Sequence, residues 1–198
     1  MLSQFSEDEI KRLMDYRDIC NLQGRYNHYM LSGRIDKILE MFAKKYPIAA
    51  EMADSGEYKG MDGIKRLFTV LGEKYAFPGS LGLHMLVTPV VEVNEDGETA
   101  RGMWHSFGCN TIKEGDQVSA MWQAGKYDIT FVKEDGDWKY GVFKWYVIFR
   151  TPYEDGWVKT PIISGLHQED SPPINPLYDP FDPTKMGQFL PLPPEQKG

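Results

Sequence analysis

The sequence predicts one cone-shaped α+β domain, a curved antiparallel sheet wrapped by N-terminal helices around a deep, largely apolar pocket. Three observations predict it. Apolar residues recur at helical spacing up to about residue 75 and at period two from Leu83 onward. Short acidic glycine loops then separate the period-two runs at hairpin spacing. Aromatic residues make up 13% of the chain, enough to pack a core and still line a cavity. Helices first and strands afterward, tightly connected, argue for a sheet covered by helices on one face.

Ser6-Glu7-Asp8-Glu9 opens the first helix: a capping hydroxyl is followed by acids that suit the positive end of the helix dipole. Ile19, Leu22, Tyr26, Tyr29 and Met30 form its apolar-aromatic stripe, and Ser32-Gly33 breaks it. Ile35, Ile38, Leu39 and Phe42 give a shorter amphipathic helix. A third runs from Met61 to about Tyr75, with Ile64, Leu67, Phe68 and Leu71 on one face, punctuated by Gly60, Gly63 and Pro78-Gly79. Residues 83–93, 99–110, 119–133 and 138–149 read as strands. Asn94-Glu95-Asp96-Gly97, Lys113-Glu114-Gly115-Asp116 and Glu134-Asp135-Gly136-Asp137 join them as hairpin turns. The cone domain thus occupies residues 1–150. Residues 151–198 hold 10 of the 13 prolines with almost no periodic pattern, and Pro172-Pro173, Pro176, Pro180, Pro183 and Pro191-x-Pro193-Pro194 forbid regular helix or sheet where they stand. Tyr178, Phe181, Phe189 and Leu190 interrupt that stretch, which favours an extended arm lying on its own domain or on a neighbouring subunit over the alternative, disorder.

A net charge of −7 and a pI near 5.1 repel phosphate backbones and anionic membrane surfaces, which argues against nucleic acid or membrane as partner. The N-terminus is charged almost from its start, and no apolar run approaches the ~20 residues that span a bilayer. A cytoplasmic protein with two reduced, buried thiols, Cys20 and Cys109, is the expectation.

The chain carries no Walker loop, dinucleotide GxGxxG, GxSxG elbow or HExxH, and its histidines (His28, His84, His105, His167) lack metal-ligand spacing. Cofactor-free, metal-free chemistry or plain ligand binding is what these residues leave. Tyr26 sits on the apolar stripe of the first helix, where its hydroxyl needs a partner, in a cavity or on backbone. His84 lies among apolar residues in LHMLVTPVVEV, as a core imidazole or a catalyst. Trp104 and His105 point to opposite strand faces, so only one lines the cavity; Trp104 is favoured. Lys126 and Asp128 share one face, taken as the outer one, which turns Tyr127 inward. Trp122, Phe131 and Trp145 are further candidates for the wall. The sheet's outer face, with Phe143, Trp145 or their alternates, needs cover, so a homodimer or higher homo-oligomer is expected.

Three stretches carry a family resemblance: LQGRYNHYMLSGRIDKILEMFA, HMLVTPVVEVNEDGETARGMWHS and GKYDITFVKEDGDWKYG. Over about residues 7–150 the chain resembles the SnoaL-like branch of the nuclear transport factor 2-like superfamily. That superfamily includes scytalone dehydratase, ketosteroid isomerase, polyketide cyclases and bile-acid 7-dehydratase. The resemblance implies a cystatin-like α+β roll. It also implies that Tyr26 and His84 stand where the bile-acid dehydratase has a site tyrosine and histidine. The two site aspartates of that enzyme fall here on Leu31 and near Gly108. The activity so implied is that of a cofactor-independent lyase of dehydratase type, or an isomerase, acting on a hydroxylated polycyclic or aromatic molecule. Tyr26 and His84 would be catalytic, with Tyr127, Trp104, His105, Trp122, Phe131 and Trp145 around the substrate. A non-catalytic binder of hydrophobic molecules and a dimeric assembly module with a filled cone remain as alternatives.

Overall fold

The computed structural model describes residues 5–75, 77–163 and 169–195. Helix α1 (Glu7–Leu31) starts at a capping box, in which Ser6 N donates to Glu9 Oε2 at 2.7 Å and Glu9 N to Ser6 Oγ at 3.2 Å. It buries Ile19, Leu22, Gln23 and Tyr26 on one stripe. Gly33 ends it in the left-handed region, at φ 65°. The short α2 (Ile35–Leu39) buries Ile38, and α3 (Gly60–Tyr75) buries Ile64, Leu67, Phe68 and Leu71.

The four long strands lie close to their expected places: β3 (Gly82–Val93), β4 (Thr99–Glu114), β5 (Gln117–Glu134) and β6 (Asp137–Pro152), paired antiparallel in sequence order. Two short strands were not foreseen, β1 (Ala49–Met52) and β2 (Gly56–Lys59). β1 adds to the free edge of β6 in parallel, so the sheet is curved, unclosed and mixed, in the order β2-β1-β6-β5-β4-β3. Four-residue strands are too short to show a period, and AAEM gives no alternation to read. Register shifts between Val87 and Val90, at Ala124/Gly125 and at Thr130/Phe131 bend the strands around the helices.

Inside the curve lies an aromatic core. Tyr26, Phe42, Phe68, Tyr140 and Phe143 pack edge-on or tilted, with Tyr26 and Phe143 centroids 4.8 Å apart. Phe143 and Trp145 therefore belong to the inner face, and Lys144 alternates outward, 26% exposed at its side chain. Trp122, Phe107, Phe149, Tyr153 and Trp157 form the aromatic run on the outer face. Cys20 and Cys109 are free and half-buried. Among the described residues no helix is long and apolar enough to cross a membrane.

The described residues of the proline-rich segment lie along their own domain. Phe181 N donates to Ile148 O at 2.7 Å, Asn175 N to Ala53 O at 3.3 Å, and Arg101 Nη2 to Leu192 O at 3.0 Å. Lys126 Nζ donates to the carbonyls of Phe189 and Pro191.

Candidate active site

A cavity of about 150 Å³ opens between the N-terminal helices and the inner face of the sheet. It exceeds the space of a few waters, so the cone is not filled by its own side chains. From α1 come Tyr26, Asn27, Met30 and Leu31; from α3, Leu71 and Tyr75. From the sheet come His84, Asn110, Gln123, Tyr127, Trp145 and Arg150.

Tyr26 and His84 are linked through a third side chain. The Tyr26 hydroxyl is hydrogen-bonded to that of Tyr127, and the Tyr127 hydroxyl lies 3.3 Å from His84 Nδ1. On the other side of the imidazole, the Gln123 amide is in contact with Nε2. His84 keeps part of its surface open, but its ring is enclosed by protein. Burial, with the Arg150 cation as a second cause, lowers its pKa from 6.5 to about 4, so the ring is neutral near pH 7. Burial raises the phenols of Tyr26 and Tyr127 well above 10, so both stay protonated and able to donate.

Arg150, like Gln123, is not among the candidates that the sequence offers. It is 2% exposed, lines the cavity, and donates from Nη1 to Asp54 Oδ2 at 2.7 Å. Asp54 sits in the tight turn between β1 and β2, where Ser55 N donates to Met52 O at 2.7 Å. Desolvation works against the guanidinium charge, yet Asp54 holds the Arg150 pKa above its usual value. Among the described residues Arg150 Nε has no hydrogen-bond partner, so the cation has donor capacity left over. Period-two counting from Phe143 and Trp145 would place Arg150 outside. Ile148 is skipped in the pairing, with Gly125 opposite Val147 and Ala124 opposite Phe149, and that extra residue turns Arg150 inward.

Of the other candidates, Tyr127 and Trp145 line the cavity. Trp104 faces inward but packs in the core against Phe131, at 6.1 Å between centroids, and neither lines the cavity. His105 is exposed on the outer face, where Nδ1 lies 2.8 Å from Thr88 Oγ1. Trp122 also faces outward, stacked on Phe107 at 5.6 Å. His105 and Trp122 therefore stand apart from Tyr26 and His84, because strand alternation leaves only one neighbour inside. His167 lies outside the described residues.

The two positions at which the resemblance expects acids are Leu31 and the neighbourhood of Gly108. Leu31 presents an apolar side chain to the cavity. Gly108 pairs with His84, and a Cβ there would fall on the Leu83 carbonyl, so that position accepts no side chain. The cavity lining holds no carboxylate among the described residues; Asp54 acts behind Arg150. Among the described residues no three His, Cys, Asp or Glu side chains are grouped to hold a metal ion.

Comparison with known proteins places this geometry in a wider setting. Residues 11–144 match the model of the SnoaL-like domain. The structure is similar to a type-2 hexachlorocyclohexane dehydrochlorinase (LinA), with a TM-score of 0.62 and 18% identity over 80% of this chain and 95% of that one. It is similar to the type-3 enzyme from Novosphingobium barchaimii, with a TM-score of 0.61 and 16% identity over 80% and 97%. A protein with a cystatin-like fold from Novosphingobium aromaticivorans, described as NTF2-like, aligns with a TM-score of 0.50 and 18% identity over 70% and 85%. No significant match to the sequence was found among curated proteins.

Proposed function

We infer the function from one premise: this chain belongs to the SnoaL-like domain family. On it we propose a cofactor-independent lyase of dehydratase type, or a proton-shuttling isomerase, acting on a hydroxylated ring compound held in the cavity. The observation that carries the proposal is the hydrogen-bonded run Gln123–His84–Tyr127–Tyr26, with the Arg150 cation lining the same cavity. The dehydrochlorinases of similar fold are named for an elimination, which supports the same reaction class here.

In the proposed reaction the substrate displaces the Gln123 amide from His84, and Nε2 removes a proton from carbon. The imidazolium passes its Nδ1 proton to the Tyr127 oxygen, Tyr127 passes its own to Tyr26, and Tyr26 protonates the departing hydroxyl. One C–H and one C–O bond break, a C=C bond forms and water leaves. The imidazole ends neutral in its other tautomer, so no outside acid, base or oxidant is needed. Arg150, whose Nε is unpartnered among the described residues, faces the substrate oxygen on which negative charge builds as the proton departs. Trp145, Met30, Leu31 and Leu71 provide apolar surface for the ring.

The experiment is to profile small molecules retained by the purified protein, then incubate each with fresh protein. A product lighter by one water, or an isomer of equal mass, is expected. A ligand held at micromolar affinity and recovered unchanged after overnight incubation would mean a binding protein instead.

A further inference from the structure

The family model ends at residue 144, before Arg150 and before the whole proline-rich arm. While its last residues bond Arg101 and Lys126, several other hydrogen bonds of the arm fall on the two segments that carry the Asp54–Arg150 pair. Arg150 N donates to Pro161 O at 3.0 Å, and Ile163 N to Arg150 O at 2.9 Å, so both backbone groups of Arg150 are tied to the start of the segment. Phe181 N bonds Ile148, the residue whose insertion turns Arg150 inward.

On the Asp54 side, Asn175 acts twice. Its N–H donates to Ala53 O at 3.3 Å, and its Nδ2 to Glu51 Oε1 at 2.6 Å. Tyr58 Oη donates to Ser171 Oγ at 3.3 Å. Gly56, at φ 93°, lies so close to Pro172 that any Cβ would collide with its carbonyl. Tyr178 packs against the core, its hydroxyl is buried, and it lies near enough to feel both Asp54 and Arg150. A buried arginine whose partner carboxylate sat on an unsupported turn would lose its registration with the cavity, because Asp54 is its one carboxylate partner among the described residues.

We propose that the arm is a built-in part of the site: Asn175 and Tyr178 are positioning residues that hold Asp54, and through it the guanidinium of Arg150, against the cavity. This rests on the proposed elimination only in giving Arg150 a task toward substrate. It adds that the task depends on a segment outside the family's shared domain.

The test uses the full chain carrying Asn175→Ala or Tyr178→Ala, with Tyr178→Phe as the conservative partner. Phenylglyoxal labels accessible arginines, and peptide mass spectrometry reports Arg150 against exposed Arg17. Arg150 labelling is expected to rise roughly tenfold or more in the two alanine variants, through local opening, and to stay at the wild-type rate in Tyr178→Phe. NMR titration of His84 is the second readout. Its midpoint should move upward in the alanine variants as the cation withdraws, and stay put in Tyr178→Phe. If an alanine variant does not fold, Asn175→Ser and Tyr178→Leu carry the same comparison. Folded variants with wild-type labelling and an unmoved His84 midpoint would overturn the proposal. Neither readout needs turnover, so an inactive protein still decides the arm's role, and a failed arm leaves the elimination to its own test.

Discussion

The His84 imidazole should titrate near pH 4 in the folded protein, and that value has consequences for both activity and stability. Its ordinary pKa is 6.5, and burial is the larger cause of the shift, with Arg150 second. At roughly 1.4 kcal/mol per pH unit, the gap corresponds to about 3 kcal/mol in favour of the neutral ring. Partial contact of His84 with solvent makes this an upper figure. The sign follows from linkage. Between about 4 and 6.5 the unfolded chain binds the proton and the folded chain does not, so stability is complete above 6.5 and is lost as pH falls toward 4. Urea denaturation at pH 7 and pH 4.5 should show that loss in the wild type and a smaller one in His84→Gln. The direct assay is a carbon–proton NMR titration of the imidazole, assigned by the missing signal in His84→Gln. Arg150→Met should raise the midpoint by removing the second cause. A wild-type midpoint near 6.5 would refute the dry, neutral imidazole on which the chemistry depends.

Asp54→Ala leaves a buried guanidinium without its carboxylate and should destabilise the fold by about 3–5 kcal/mol in urea denaturation at pH 7. A loss under about 1 kcal/mol would mean that Arg150 moves to solvent easily. Gly125→Ala drives a Cβ into the Trp145 indole, across the strand pairing that forms the cavity wall. Overpacking should cost ~1–3 kcal/mol and weaken ligand retention. A crystal structure of that variant with Trp145 unmoved would contradict it.

Much of this fold was legible because its long elements repeat their period many times. The stripe Ile19-Leu22-Tyr26 and the acidic turns after Val93 and Lys133 are local signals, and local signals survive in sequence. β1 and β2 were not legible, since four residues pair here through the edge of β6, a contact made about 90 positions away. In the site, Tyr26 could be placed by its helical stripe and Tyr127 by strand parity, His84 was a candidate from its apolar strand, and the resemblance favoured Tyr26 and His84. Arg150 could not be placed so, because the single extra residue at Ile148 inverts parity, and nothing in VIFRTP announces a bulge. Asp54 was hidden for the same reason as its strand. Trp122 and His105 are aromatic and well patterned, yet they fall on the outer face, where the same alternation that hides a core residue displays it.

The most direct measurement is the turnover number of His84→Ala beside wild type, on whichever retained molecule the wild-type protein converts. General acid–base work by His84 predicts a fall of ~10²–10⁴-fold at saturating substrate, with ligand affinity largely kept. Tyr127→Phe, which cuts the relay without emptying the site, should fall with it. Turnover in both variants equal to wild type would contradict the account.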